Sequence, residues 1–186
     1  GKNLDLEHNP SVIDFFSSFD TKSHLTIITF LLIGTVITCI VQSSAAVMAI
    51  TILLCSTGVL PIYLGIALVM GENIGTTATA NLAALGANAQ ARRAALAHLV
   101  FNVFGVIWVL CLFYPFVNFV CSLVGYNSDG NMSAAQKATL LPIVLAMFHT
   151  CFNVCNTAVL IWFIPQIEKL VCQLIKPKAD KEDEDF

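Results

Sequence analysis

Long apolar stretches without Asp, Glu, Lys or Arg make up most of the chain. They cover residues 25–71, 73–91, 94–128 and 138–167. A helix needs about 20 mainly apolar residues to cross the hydrocarbon core of a bilayer, so each stretch is long enough for at least one crossing. The pattern predicts an all-α, polytopic membrane protein.

Two polar interruptions fall inside these stretches, at positions that should lie within the membrane. The first, Gln-Ser-Ser at residues 42–44, separates two apolar runs that are each short for an independent span. The second, Gly-Glu-Asn-Ile-Gly-Thr-Thr at residues 71–77, interrupts the run over residues 62–85. Irregular backbone inside a bilayer is tolerated only where protein buries it or where it lines a wet cavity. We therefore expect broken or re-entrant helices around a polar site.

The first 23 residues are more polar and combine acidic residues with phenylalanines. Their apolar positions fit a short amphipathic helix that lies at the membrane surface, with Asn9 as its cap and Pro10 in its first turn. We therefore expect residues 1–23 to be an interfacial segment. The same composition also fits the end of a preceding domain.

Residues 24–164 form the predicted transmembrane region, and residues 165–186 form a charged tail. Two crossings, over residues 94–114 and 138–164, separate the basic pair at residues 92–93 from the lysines of the tail. The pair and the tail should therefore lie on the same side of the membrane. Because short basic segments favour the cytoplasmic side, we expect the C-terminal tail to be cytoplasmic.

Composition supports a membrane protein and disfavours several other classes. Hydrophobic residues make up 57% of the chain and charged residues 11%, whereas soluble domains average about 25% charged residues. The net charge of -3 gives no basic surface for nucleic acid. The seven cysteines lie mostly in apolar stretches, at spacings unlike those of zinc sites or disulfide frameworks, so we interpret them as packing residues. We expect no enzyme, because the serines at residues 43–44 lack a Gly-x-Ser-x-Gly elbow.

The first interruption offers neutral groups that suit an anion. Gln42, Ser43 and Ser44 bring an amide and two hydroxyls next to freed backbone groups. A helix that begins at Ala45 would direct its N-terminal amides and the positive end of its dipole to the same place. The alternative is that these side chains satisfy one another across a helix interface.

The second interruption offers oxygen ligands that suit a sodium ion. Gly71 and Gly75 permit an unwound turn, whose carbonyl groups would join the Asn73 amide and the hydroxyls of Thr76 and Thr77. Unwound carbonyls and half-helix ends supply such ligands in transporters. The segment lacks the lysine with which a P-loop binds nucleotide phosphates.

Glu72 is the only acidic residue between Asp20 and Asp129. An ionisable residue within a span is a functional candidate by default. It could bind a cation, carry a proton, or cap a helix at the membrane interface.

A His-x-x-x-Asn pattern occurs twice, as His98 with Asn102 and as His149 with Asn153, and Asn156 extends the second copy. Residues four apart share a helix face. Such polar stripes usually join helices within a membrane bundle, and direct ligand contact is the less common case.

These motifs together resemble a known family. The order is Gln-Ser-Ser at residues 42–44, then the segment 71–77, then Ala-Arg-Arg-Ala-Ala-Leu-Ala-His at residues 91–98, followed by Phe-Asn at residues 101–102. This order resembles the second repeat of type II sodium-dependent phosphate cotransporters, in their bacterial branch. The similarity extends over about residues 34–156. The ordered combination is far more specific than any single motif.

The resemblance implies sodium-coupled symport of inorganic phosphate across the cell (inner) membrane by alternating access, with Na+ as coupling ion and no organic cofactor. It implies a phosphate site formed by Gln42, Ser43, Ser44, Asn73, Thr76 and Thr77. The implied sodium ligands come from Gln42, Ser44, Glu72, Asn73 and Thr76. Ala45 stands where the family usually has a third serine. A carrier of another small anion is therefore one alternative. A non-transporting membrane module that senses phosphate is a second alternative, independent of Ala45.

Family members look like two inverted repeats that enclose phosphate and sodium near the membrane midplane, whereas this sequence contains one. We therefore expect the chain to be half of an inverted-repeat transporter. Besides membrane lipid, its expected partner is the missing first repeat or a second copy of itself, as a homodimer. Alone, it should not transport efficiently.

Overall fold

The computed structural model describes residues 9–127 and 130–178, and this part of the chain is helical without a β-strand. The helices are α1 (Pro10–Ser17), α2 (His24–Val41), α3 (Ser44–Ser56), α4 (Ile62–Ala83), α5 (Ala89–Cys111), α6 (Phe113–Val124), α7 (Ala134–Leu160) and α8 (Ile164–Leu174). Short 3-10 turns, Ala84–Gly86 and Ile161–Phe163, follow α4 and α7. Three helical stretches are long and apolar enough to cross a membrane: His24–Val41, Ala89–Cys111 and Ala134–Leu174. The prediction of an all-α membrane protein is confirmed.

The structure contains the predicted N-terminal helix and its cap, whereas its place at the membrane surface stays a prediction. The Asn9 side chain accepts a hydrogen bond of 3.0 Å from the Ser11 amide, and Pro10 is the first helical residue. On the inner face of α1 and just after it, phenylalanines pack on α2. The rings of Phe19 and Phe30 lie 5.1 Å apart, edge to face. Residues 1–8 lie outside the described part of the chain.

The predicted break at the Gln-Ser-Ser segment is also confirmed. Helix α2 ends at Val41, and Gln42 has the left-handed backbone conformation, with a φ of 55°. Ser43 is extended and caps α3 by accepting a hydrogen bond of 3.2 Å from the Ala46 amide. Two residues therefore end one helix and begin the next.

The chain reverses at this break, so α2 and α3 form a helical hairpin. Gly65, near the start of α4, lies against Cys55 at the end of α3. Ser44, at the start of α3, lines a cavity together with Thr76, in the second half of α4. Helix α3 is therefore antiparallel to α4. Helix α2 is parallel to α4, because Gly34 of α2 contacts Leu68 of α4 and, further along both helices, Thr38 of α2 contacts Gly75 of α4.

The second predicted break, at residues 71–77, is wrong, because α4 is one regular helix through this segment. Its glycines serve close packing against α2. A Cβ atom on Gly75 would lie 2.8 Å from the Thr35 carbonyl oxygen, and one on Gly34 would lie 2.5 Å from the Leu68 carbonyl oxygen. Small residues allow membrane helices to approach in this way. Glycine inside an apolar run therefore indicated a close helix contact here and not an unwound turn.

The C-terminal half forms a second layer around α4. Helices α5 and α6 meet at Leu112, and α7 begins with a capping box in which Ser133 and Gln136 satisfy each other's backbone amides. The first part of the predicted tail is helix α8. It packs on α5, where Arg93 Nε donates a hydrogen bond of 3.0 Å to the Ile175 carbonyl. The predicted acidic end of the tail, residues 182–185, lies outside the described residues.

A group of tyrosines marks the end of the molecule where α3 ends and α4 begins. Tyr63 donates a hydrogen bond of 2.9 Å to Asn118 Oδ1, and Tyr114 donates one of 2.6 Å to the Thr21 carbonyl. Tyr126 lines the same polar cleft. Tyrosines are enriched at membrane interfaces, so this end is well suited to the headgroup level.

Candidate functional site

A cavity of about 400 Å³ lies between helices α3, α4, α5 and α7, at the end of the molecule away from the tyrosines. Each helix contributes at least two side chains. The described residues that line it are Ser44, Ala45, Met48, Val69, Glu72, Asn73, Thr76, His98, Asn102, His149 and Asn153. The cavity therefore joins both predicted polar segments and both His-Asn stripes.

Helix α3 contributes its N-terminal end. Ser44 and Ala45 line the cavity, and their amides precede the first hydrogen bond of the helix, which Val47 donates to the Ser43 carbonyl. Amides at this position have no partner within the helix, and the helix dipole adds positive charge there. This end of the cavity is therefore suited to an anion without needing a lysine or arginine.

Helix α4 contributes three polar side chains from one face. Glu72 is 3% exposed, and neither of its carboxylate oxygens has a hydrogen-bond partner among the described residues. Asn73 Nδ2 is also buried and has no hydrogen-bond partner among the described residues. Thr76 donates a hydrogen bond of 2.8 Å to the Glu72 carbonyl. Buried polar atoms are rarely left unpaired, so these atoms suggest a ligand that is needed to complete the site.

The carbonyl groups that the sequence predicted as sodium ligands are engaged by the regular α4 helix. The Asn73 carbonyl also accepts hydrogen bonds from the Asn102 side chain, at 2.9 Å, and from Thr77 Oγ1, at 3.1 Å. Only side-chain oxygens of α4 therefore remain for a cation. Carboxylate, amide and hydroxyl oxygens suit a hard cation such as sodium.

The two His-Asn stripes join helices, as predicted, and also reach the cavity. Asn102 connects α5 to α4 through its hydrogen bond to the Asn73 carbonyl. Asn156 connects α7 to α5, because its side-chain amide donates a hydrogen bond of 3.0 Å to the Phe101 carbonyl. His98 and His149 line the cavity from α5 and α7. Both histidines therefore lie at the candidate site, and their direct contact with a ligand stays a prediction.

Three predicted site residues lie elsewhere. Gln42 and Ser43 are exposed at the tip of the α2–α3 hairpin, outside the cavity lining. Thr77 is buried, and its hydroxyl donates to the carbonyls of Asn73 and Ile74. The structure brings together four of the predicted residues: Ser44, Glu72, Asn73 and Thr76.

Sequence reasoning missed the apolar wall of the cavity, which Met48 and Val69 form. No motif distinguishes them from other core residues, but Met48 lies one helical turn after Ser44 and Val69 lies one turn before Asn73. Among the described residues, no group of three or more His, Cys, Asp or Glu side chains is placed to hold a metal ion. The site therefore has the character of a mixed polar pocket.

Comparison with known proteins finds one family and several relatives. The family described as Na+/Pi-cotransporter matches residues 17–125. Among relatives, the uncharacterized protein YqeW of Bacillus subtilis is 32% identical over 148 residues, which are 80% of this chain and 44% of that protein. The putative inorganic phosphate export protein YjbB of Escherichia coli K12 is 29% identical over 149 residues, which are 80% of this chain and 25% of that protein.

A human relative, sodium-dependent phosphate transport protein 2B, is 40% identical over 111 residues, which are 58% of this chain and 16% of that protein. The chain thus spans less than half the length of each of these relatives. No solved structure matches it significantly.

Proposed function

Because the chain belongs to the Na+/Pi-cotransporter family, we propose that it forms part of a membrane carrier that moves inorganic phosphate together with sodium. The observation that supports this best is the cavity between α3, α4, α5 and α7. It combines the N-terminal end of a helix, which suits an anion, with a buried and unpaired carboxylate, which suits a cation. Such a carrier needs no covalent chemistry and no organic cofactor.

In this proposal, phosphate binds at the start of α3. Ser44 donates from its hydroxyl, the amides of Ser44 and Ala45 donate from the backbone, and the Asn73 amide donates from α4. Thr76 lines the cavity beside them, but its hydroxyl proton is donated to the Glu72 carbonyl. Gln42 and Ser43 lie outside the cavity lining, so they contact the anion only on its way into the cavity, from the exposed tip of the hairpin. Thr77 supports the site from behind, through its hydrogen bond to the Asn73 carbonyl.

Sodium binds beside the phosphate in this proposal. Its ligands come from Glu72, Asn73 and Thr76 on α4 and from Ser44 on α3, whereas Gln42 lies outside the cavity lining. The two unpaired oxygens of Glu72 support this assignment. Binding the two ions together lowers the cost of moving either charge through the bilayer.

A second repeat would complete the site. The hairpin tip is exposed, and so is an apolar side of α2, which includes Leu32, Val36 and Ile40. The missing first repeat, or a second copy of this chain, would cover these surfaces and permit alternating access. The carrier then lies in the cell (inner) membrane with its C-terminal tail in the cytoplasm, as the basic pair at residues 92–93 favours.

Transport of labelled phosphate into membrane vesicles tests the proposal, with the protein expressed from its native reading frame. A sodium gradient should accelerate phosphate movement, and Ser44→Ala should reduce the rate about tenfold or more. Ser56→Ala, at the other end of the same helix, is the matched control. Equal rates with and without the gradient would refute sodium coupling. Reversing the gradient distinguishes uptake from the export that the name of the Escherichia coli relative describes.

Ala45 supports a second candidate function, the transport of a different small anion. It lines the cavity at the position where the family usually has a serine, so one hydroxyl donor is absent from the anion site. Competition of sulfate, arsenate and carboxylates against labelled phosphate distinguishes the two candidates. A phosphate-sensing module would instead bind phosphate in the same assay without moving it.

A further inference from the structure

Glu72 is a buried carboxylate without compensation from the protein. Its side chain is 3% exposed, it borders the cavity, and neither carboxylate oxygen has a partner among the described residues. An isolated charge in such a place is costly unless an ion or a hydrogen bond compensates it.

Among the described residues that line the cavity beside Glu72, none carries a full positive charge that is independent of pH, and the start of α3 contributes only the partial charge of its helix dipole. Helices α2 and α3, which pack against α4, carry no Asp, Glu, Lys or Arg. The titratable side chains that face the cavity from the other helices are His98 on α5 and His149 on α7. Arg93, near the start of α5, donates instead to the Ile175 carbonyl. No lysine or arginine is among the described residues that line the cavity.

An anion that enters this cavity meets a like charge. In a protein interior, two like charges several ångströms apart weaken binding by roughly tenfold to a hundredfold or more. Phosphate is an anion, and its proposed donor Asn73 lines the cavity directly beside Glu72 on α4. Phosphate and an ionised Glu72 carboxylate without a cation therefore exclude one another.

We propose that the Glu72 carboxylate makes phosphate binding conditional on sodium: the carboxylate repels phosphate until a sodium ion binds against it. This inference rests on the proposed function and adds the physical origin of the coupling. Glu72 acts here as a specificity-determining residue that prevents phosphate from binding alone. Removing its charge should therefore uncouple phosphate binding from sodium without removing the donors of phosphate.

Equilibrium binding of labelled phosphate to the purified full-length protein tests the inference, with sodium chloride compared with choline chloride at one fixed alkaline pH, where the Glu72 carboxyl group is ionised. In the wild type, sodium should tighten phosphate binding about tenfold or more. In Glu72→Gln, sodium should change the affinity by less than about threefold, and binding in choline should approach the wild-type value in sodium. Glu72→Asp keeps the charge and should keep the sodium dependence. Glu168→Gln makes the same chemical change on exposed helix α8 and should behave as the wild type.

The outcomes separate this inference from the proposed function. Full sodium dependence in a folded Glu72→Gln protein would overturn the inference and leave phosphate transport intact. A folded Glu72→Gln protein that binds no phosphate in either salt would also overturn it. A wild type that binds no phosphate in sodium would overturn the proposed function itself.

A second measurement uses the wild type alone, so it does not depend on a variant that folds. A hydrophobic carbodiimide reacts with the protonated form of buried carboxyl groups in membrane proteins, and mass spectrometry gives the extent of labelling at Glu72. Sodium should slow this labelling several-fold relative to choline, because an ion bound to the carboxylate displaces the proton that the reaction needs. Equal labelling in both salts would contradict the inference.

Discussion

The contact between α2 and α4 permits a sharp test at Gly71. A Cβ atom there would overlap the Leu31 carbonyl oxygen and would lie 2.7 Å from the Thr35 amide nitrogen. Real Cβ atoms essentially never approach closer than 3.0 Å, and both neighbours are backbone atoms that cannot rotate away. Gly71→Ala must therefore separate the two helices.

Two opposing effects determine the size of the change. Overpacking of this kind costs about 1–3 kcal/mol, and a backbone clash lies at the upper end. Alanine recovers about 1 kcal/mol, because it favours a helix more than glycine does. The net loss is about 2 kcal/mol, which lowers the melting temperature of a protein of this size by roughly 4–8 °C.

Thermal unfolding in detergent, followed by the loss of the monodisperse peak in size-exclusion chromatography, measures this loss. Gly86→Ala is the matched control, because nothing lies within 4 Å of a Cβ atom at that position. The control should leave the melting temperature within about 2 °C of the wild type. If Gly71→Ala melted at or above the temperature of Gly86→Ala, the close contact between α2 and α4 would be refuted.

Two further variants test the hairpin tip and the polar stripes. Gln42→Gly should raise the free energy of unfolding by about 0.5–1 kcal/mol, because glycine adopts the left-handed conformation without steric cost, yet it should reduce phosphate transport. A lower melting temperature would contradict this. Asn102→Leu should lower stability by about 1 kcal/mol, because it removes the bond between α5 and the Asn73 carbonyl. Asn153→Leu should lower stability less, because the hydrogen bond that the Asn153 side chain makes among the described residues stays within α7, and equal melting temperatures would contradict the comparison.

The break between α2 and α3 was predictable because several local signals agree at one place, although these signals do not decide whether the chain reverses there. A glutamine and two serines follow a run of apolar residues of nearly membrane length, and serine is a preferred helix cap. The N-terminal helix was predictable for the same reason, through Asn9 and Pro10. A helix cap forms hydrogen bonds with residues that are its neighbours in the chain, so the sequence alone predicts it.

The role of the glycines was not predictable in this way. Gly71 and Gly75 permit an unwound turn and also a close helix contact, and only the position of α2 decides between the two. If α4 is taken as a regular helix, Glu72, Asn73 and Thr76 fall on one face, whereas the glycines fall on another. That periodicity was the available signal for which polar residues share a cavity. The contribution of Met48 depends on how α3 folds back, which local sequence does not encode.

The unequal lengths of α3 and α4 have an electrical consequence. Both helices meet the tyrosine end of the molecule, but 13 residues give α3 a length of about 20 Å and 22 residues give α4 about 33 Å. Ser44 also follows the end of α2, whose 18 residues give about 27 Å, so it lies about 3–10 Å short of the far boundary of a hydrocarbon core about 30 Å thick. In the proposed carrier, an ion that reaches Ser44 from that boundary crosses at most about a third of the transmembrane voltage, which corresponds to at most about 0.8 kcal/mol per charge per 100 mV. Voltage would then act on the binding of the ion itself, before any helix moves.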